Sequence, residues 1–104
     1  MLYENRETSD ILTESDMVKQ FDHWKKLSSF DSYDDFISSV TDTNGLYIAY
    51  DIDEDANFQY YEDKKTYAID RIIKDYYHAL QITDFMNFGH FIEYITECKI
   101  YVRV

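Results

Sequence analysis

Carboxylates are the side chains whose number and spacing point most directly to chemistry. No Lys or Arg stands between Lys26 and Lys64, although that stretch carries ten acidic residues. They are Asp31, Asp34, Asp35, Asp42, Asp51, Asp53, Glu54, Asp55, Glu62 and Asp63. Because like charges repel and weaken the compact state, we expect them to serve a positively charged partner. The alternative is a solvated acidic face that only keeps the protein soluble.

One acidic segment also matches part of a calcium-binding loop. Asp51 to Glu62 places acids at positions 1, 3, 5 and 12 of the EF-hand pattern. The ligands of this alternative are Asp51, Asp53, Asp55, Asn57 and Glu62. However, position 6 is Ala56, where the turn needs Gly, and a strand is predicted in place of the first helix. Calcium binding is therefore the alternative, and our main prediction is no metal and no cofactor.

Residues suited to catalysis are sparse. His23, His78 and His90 are widely separated and Cys98 is the only cysteine, so no zinc site of ordinary spacing can be written. Two Gly residues cannot supply a phosphate-binding loop. Cys98 shares an alternating face with Ile100 and is expected to be a buried, inert thiol. We predict that the protein is not an enzyme.

The first half of the chain predicts a helix that begins near residue 15. Apolar residues at intervals of three and four continue to Leu27, with Phe21 and Trp24 expected in the core. Thr13 or Ser15 is available as its cap.

A second helix and a strand precede the acidic loop. Ser32, with Asp35 three residues later, predicts the cap of a short helix whose apolar face ends at Val40. Asn44-Gly45 predicts a turn, and the alternation over residues 46–52 predicts a strand whose inward face begins at residue 46.

The second half predicts two more helices and a closing strand. Ile and Tyr residues at helical spacing indicate a helix over 65–81. Asp84 is a candidate cap for a short helix over 84–92. Alternation over 98–104, with Cys98 on the inward face, predicts a final strand.

These elements predict an α+β fold in which a small antiparallel sheet packs with three to four helices. At 104 residues, one domain over 13–104 is expected after a flexible N-terminal lead-in over 1–12. A chain that is 45% hydrophobic and 18% aromatic can bury a core, which excludes a disordered acidic tail.

The charge balance limits the partners. With 21 acidic and 10 basic residues the net charge is -11, which repels phosphate backbones and anionic lipids. We therefore expect no direct contact with nucleic acid and none with a membrane. The N-terminus lacks a secretory signal and no long apolar run occurs, so we expect a cytoplasmic protein.

The same charge is comparable to that of a short nucleic acid. DNA carries one negative charge per about 1.7 Å of axis, so eleven net charges match about 19 Å, or roughly five to six base pairs. A surface of this kind could occupy the basic groove of a nucleic-acid-binding protein.

A short motif in the second half resembles a known family. Asp84-Phe85-Met86-Asn87-Phe88-Gly89-His90-Phe91-Ile92 is similar to a motif of ArdA-type antirestriction proteins, which are acidic DNA mimics from phages and mobile elements. His90 stands where that family has Arg, and Phe91 stands where it has an acid. The resemblance covers the C-terminal two thirds at most, and it implies that the chain occludes the DNA groove of a restriction enzyme without catalysis.

We therefore predict an inhibitor of a host defence enzyme, of antirestriction or anti-CRISPR type, that acts in the host cytoplasm. Its contact residues are the ten carboxylates listed above, with most weight on the loop from Asp51 to Glu62. The alternative is an acidic protein-protein binding module or accessory subunit. A homodimer would extend the mimic by two-fold symmetry.

Overall fold

A computed structural model describes residues 1–27 and 30–104 of the chain. Its contacts divide the chain into two compact units, Met1–Ile52 (unit 1) and Asp53–Val104 (unit 2). Each unit combines a three-stranded antiparallel sheet with two helices, so the predicted α+β class is confirmed. No helix in the two described ranges is both long and apolar enough to cross a bilayer.

The sheet of unit 1 is built around the N-terminal strand. In chain order the unit contains β1 (Leu2–Asn5), β2 (Ile11–Leu12), α1 (Glu14–Trp24), α2 (Tyr33–Val40) and β3 (Tyr47–Tyr50). β1 lies between β2 and β3, and Leu2 and Tyr3 are buried. Residues 1–12 thus form two strands where the sequence predicts a flexible lead-in. The main partner of β1 is the distant β3, and a local pattern cannot reveal that pairing.

Helix α1 begins at a side-chain cap. The Thr13 hydroxyl accepts a hydrogen bond from the Asp16 amide at 3.3 Å, and the Asp16 carboxylate accepts one from the Thr13 amide at 3.0 Å. This capping box selects Thr13 over Ser15. The helix ends at Trp24, short of the predicted Leu27. Trp24 is 41% exposed beside an open cavity of about 210 Å³, so its prediction as a core residue is wrong.

The core of unit 1 joins both helices to the sheet. Tyr3, Met17, Phe36 and Tyr47 form its buried cluster. Tyr47 points inward while Leu46 is 38% exposed, so the predicted inward face of β3 is wrong at its start. Both faces of this segment carry apolar residues, and a two-residue period cannot then say which face is buried.

The ends of α2 agree with the sequence. Ser32 is its cap and accepts a hydrogen bond from the Asp35 amide at 3.2 Å. After the helix, the Gly45 amide donates to the Asp42 carbonyl at 3.0 Å and closes the predicted turn. A Cβ at Gly45 would lie 2.2 Å from the Val40 carbonyl oxygen, so the turn requires glycine.

Unit 2 contains two strands that the sequence does not predict. Its elements are β4 (Asn57–Tyr60), β5 (Thr66–Ala68), α3 (Ile69–Leu80), α4 (Phe88–Glu97) and β6 (Tyr101–Arg103), with β4 between β5 and β6. Phe58 pairs with Tyr67 across the β4–β5 hairpin. The expected acidic loop over β4 and the expected helix start at Lys65 are therefore wrong. Strands of three or four residues offer too little alternation to be detected.

Helix α3 starts later than predicted because a distant backbone carbonyl, and not a neighbouring side chain, caps its first turn. Ala68 at the N-cap has no capping side chain. The amide of Ile69 donates instead to the Ala56 carbonyl at 3.0 Å. A backbone acceptor that lies before β4 satisfies this amide, so no local residue marks the helix start.

The core of unit 2 is aromatic. Tyr76 on α3 and Phe88 and Phe91 on α4 are buried. The Tyr76 ring centroid lies 5.2 Å from that of Phe88 and 5.3 Å from that of Phe91. Such ring pairs contribute about 0.5–1.5 kcal/mol each beyond the area they bury.

Helix α4 is capped by Asn87 and not by the predicted cap Asp84. The Asn87 side chain accepts a hydrogen bond from the His90 amide at 2.9 Å. Asp84 lies in the preceding loop, and two side chains of that loop, Ile82 and Met86, are more than four-fifths exposed.

The C-terminal segment differs from its predicted strand. Cys98 is the exposed C-cap of α4, so its prediction as a buried thiol is wrong. Lys99 has φ 56°, which redirects the chain, and β6 starts only at Tyr101. Tyr101 is buried and Val102 is exposed, so the alternation is in the opposite phase to the prediction. The left-handed backbone at Lys99 changes which residues of the following strand face inward, and no residue type in the sequence indicates it.

Candidate partner-binding surface

All ten carboxylates identified in the sequence lie on exposed residues. They divide equally between the units. Unit 1 carries Asp31, Asp34, Asp35, Asp42 and Asp51, and unit 2 carries Asp53, Glu54, Asp55, Glu62 and Asp63.

In unit 1, three of the acids surround the N-terminus of α2. Asp34 and Asp35 lie in its first turn, and Asp31 directly precedes the cap. The unpaired amides at a helix N-terminus favour negative charge, so the helix itself stabilises this group. Asp42 follows the other end, where its Oδ1 accepts a hydrogen bond from the Asn44 amide at 2.9 Å.

In unit 2, three acids form the turn that leads into β4. Asp53, Glu54 and Asp55 are exposed, and the Ala56 amide donates to the Asp53 carbonyl at 3.0 Å. That hydrogen bond defines a tight turn in which the backbone is ordered while the three carboxylates remain accessible to a partner.

The remaining two acids lie in the β4–β5 hairpin and are held by tyrosines. The Tyr60 hydroxyl donates to Glu62 Oε2 at 2.8 Å, and the Tyr67 hydroxyl donates to Asp63 Oδ2 at 2.6 Å. The Lys65 amide donates to Asp63 Oδ1 at 2.8 Å. Both carboxylates therefore have fixed orientations.

One of these hydrogen bonds favours the ionised form of Asp63. The bond from Tyr67 is the main reason that the pKa of Asp63 lies below its usual value. The same bond raises the pKa of Tyr67, and the bond to Glu62 raises the pKa of Tyr60. Each tyrosine thus stays a neutral donor, and the Asp63 carboxylate keeps its charge.

Tyrosine hydroxyls hold three further carboxylates that the sequence analysis does not single out. The hydrogen bonds run from Tyr3 to Glu14 (2.5 Å), Tyr33 to Glu14 (2.6 Å), Tyr50 to Glu4 (2.7 Å) and Tyr101 to Asp75 (2.7 Å). Glu4 is buried and the others are partly buried. The available signal was the high tyrosine count, eleven in 104 residues. The tyrosine count does not identify which carboxylate each hydroxyl contacts, since all of these pairs are distant in sequence.

Two ion pairs of the described residues lie outside the ten candidate carboxylates. Between described residues, Lys25 lies 3.2 Å from Asp22 and Arg71 lies 3.4 Å from Asp75. Leaving Glu54 aside, the candidate carboxylates form no ion pair with any residue in the described ranges. Without forming an ion pair, Lys65 and Arg71 still act on Asp63 and help to lower the pKa of its carboxyl.

The calcium-loop alternative does not fit the structure. Strand β3 precedes Asp51 where an EF-hand has a helix, and Asn57 and Gln59 lie within β4. An extended strand cannot wrap these positions around a cation. Among residues 1–27 and 30–104, no three His, Cys, Asp or Glu side chains are arranged to hold a metal ion. The segment 51–62 thus lacks the helix–loop–helix geometry of an EF-hand.

Comparison with known proteins adds no relative: the chain matches no family model, no curated protein and no solved structure. The resemblance to ArdA-type proteins therefore remains a prediction from its motif. In the structure, that motif runs from the loop before α4 into the helix, and its Phe88 and Phe91 are buried.

Proposed function

We propose that this protein is an acidic inhibitor that mimics a nucleic acid and occupies the nucleic-acid-binding groove of a host defence enzyme. The enzyme would be a restriction or CRISPR nuclease, and the inhibitor would come from a phage or mobile element. It acts by occlusion in the host cytoplasm and catalyses no reaction.

One observation carries the proposal. Ten carboxylates occur without an intervening cation, and all ten are on exposed residues. With Glu54 set aside, none is paired with a Lys or Arg of the described chain. Surface charges that only aid solubility have no need to be fixed, yet Glu62 and Asp63 are oriented by tyrosine hydroxyls.

The physics of association fits such a role. An acidic surface that faces a basic groove accelerates encounter and suppresses wrong partners. Charge reversal on the inhibitor is therefore expected to act mainly on the association rate, and salt is expected to weaken binding.

The first experiment is capture from a bacterial lysate at low salt, with elution by a salt gradient and then by excess duplex DNA. The wild-type chain is compared with Asp53→Lys/Asp55→Lys. The matched control is Glu93→Lys/Glu97→Lys, which changes the net charge equally at exposed positions outside the candidate set. We expect a nuclease that DNA releases, with an association rate lowered about tenfold or more by the first variant and much less by the control.

The outcomes separate the candidate functions. A captured nuclease that DNA displaces, together with loss of inhibition only in Asp53→Lys/Asp55→Lys, supports mimicry. A partner that DNA does not displace favours the acidic binding module. Equal effects of the two double variants would show that the proposed carboxylates are not the contact site.

A further inference from the structure

Unit 2 has a cavity beside the β4–β5 hairpin. It has a volume of about 350 Å³ and is lined by Tyr60, Tyr61, Glu62, Lys99 and Ile100. The Tyr61 amide donates to the Ile100 carbonyl at 2.9 Å, which joins its two walls. Clefts that hold ligands begin at roughly 300 Å³, so the cavity can take a single long side chain.

The lining combines apolar groups with one anionic and one cationic side chain, Glu62 and Lys99. The Tyr60 and Tyr61 rings and the Ile100 side chain suit an aliphatic stem, and the Glu62 carboxylate suits a positive end group. Tyr60 orients Glu62 through the 2.8 Å hydrogen bond described above. Aromatic rings beside a carboxylate are a favourable setting for a cationic side chain.

The chain itself already places a cation on one of these rings. The Lys64 ammonium lies 3.9 Å from the centroid of the Tyr61 ring. Lys64 does not line the cavity, and Tyr61 remains 57% exposed. This contact is an independent sign that the Tyr61 ring attracts positive charge.

We propose that this cavity receives an arginine side chain of the partner protein. The guanidinium stacks on the ring of Tyr60 or Tyr61 and hydrogen-bonds to the Glu62 carboxylate. The methylene stem of the arginine packs on Ile100. Arginine is favoured over lysine because its planar group can stack and can bind a carboxylate through two donors. The identity of the partner, a protein with a basic groove, rests on the proposed function.

The test uses the full chain and a small probe. Acetyl-Gly-Arg-Gly-amide is titrated at constant ionic strength and followed by amide NMR shifts, with the citrulline peptide as a neutral isostere. We expect shifts concentrated at residues 60–62 and 99–100 with the arginine peptide only. Glu62→Gln should weaken binding about fivefold, as for loss of an exposed charge pair.

Two further variants sharpen the result. Glu93→Gln makes the same chemical change at an exposed position in unit 2 that does not line the cavity, and it should leave the affinity almost unchanged. Lys99→Gln removes a competing positive charge from the lining and should strengthen binding about twofold.

Equal binding of the citrulline peptide, or equal effects of Glu62→Gln and Glu93→Gln, would overturn the inference. The probe contains neither a nuclease nor DNA, so its outcome is independent of the capture experiment. A cavity that binds arginine while no DNA-displaced partner is found would refute only the proposed function. A DNA-displaced partner, together with no arginine binding by the cavity, would refute only the inference that the cavity receives arginine.

Discussion

At the scale of single residues, tyrosine hydroxyls hold carboxylates, one of which, Asp75, also pairs with Arg71. Six such hydrogen bonds reach five acids in the described residues: Glu4, Glu14, Glu62, Asp63 and Asp75. A hydroxyl donor fixes the direction of a carboxylate and leaves its charge in place, whereas a Lys or Arg partner would cancel that charge. The arrangement lets an acidic protein be both ordered and strongly negative.

Glu14 gives this arrangement a measurable pH dependence. Partial burial raises the pKa of its carboxyl, but the hydrogen bonds from Tyr3 and Tyr33, together with the positive charge of the N-terminus, outweigh burial, and the pKa lies below the usual 4.5. A lowered pKa stabilises the fold above the unfolded-state value, and this contribution is lost as pH falls through the folded-state value. Glu14→Gln should lower the free energy of unfolding at pH 7 by about 1–2 kcal/mol.

The measurement is urea denaturation from pH 7 to pH 3. The difference between wild type and Glu14→Gln should shrink as the pH falls below 4.5. Glu7→Gln is the control, since it makes the same change at an exposed position of unit 1. A Glu14→Gln difference that stays constant over this range would contradict the assigned role of the two hydroxyls.

At the scale of elements, short helices and strands depend on how their ends are satisfied. Thr13, Ser32 and Asn87 each cap a helix through a side-chain oxygen, and these three helices start where the oxygen binds the first turn. Helix α3 lacks such a side chain and draws on the Ala56 carbonyl. Its first turn therefore depends on the turn that precedes β4.

The cap of α1 provides a test with a control two residues away. Thr13→Ala removes the hydroxyl of the capping box and should lower the free energy of unfolding by about 1 kcal/mol. Ser15→Ala should change it by a few tenths at most, because Ser15 is exposed and is not the cap. Chemical denaturation of both variants measures the difference. A larger loss for Ser15→Ala would mean that α1 starts at the other candidate cap.

At the scale of the whole molecule, net charge opposes folding. With -11 charges on 104 residues, repulsion between carboxylates destabilises the native chain. Salt reduces this repulsion, since the Debye length falls from about 30 Å at 0.01 M to about 10 Å at 0.1 M.

We therefore expect the melting temperature to rise as NaCl increases from 0.01 M, with most of the rise complete near 0.1 M. Asp53→Asn/Asp55→Asn removes two of the eleven net negative charges and should show a smaller rise. Thermal denaturation followed by circular dichroism provides the measurement. A melting temperature that is unaffected by salt, or that falls, would mean that repulsion does not limit stability.

The local sequence was sufficient to predict an element wherever the residues that define it lie within one helical turn or one tight turn. Ser32 with Asp35, the Asn44-Gly45 turn and the Ile and Tyr spacing of α3 are examples. It was insufficient where the partner is distant in sequence. The pairing of β1 with β3 made Leu2–Asn5 a central strand, and the φ of 56° at Lys99 reversed the predicted face of the last strand.

Composition and local periodicity were enough to predict the α+β class, the excess of carboxylates and their exposure, because they govern which residues can be buried. Three features became visible only in the folded chain: which carboxylates the tyrosines hold, the turn and strand over 51–62, and the exposure of Cys98. The hydrogen bonds from Tyr50 to Glu4 and from Tyr101 to Asp75, and the pairing of β4 with β6, join segments that are far apart in the chain. Such contacts form only when burial of the whole core offsets the entropy of closing long loops.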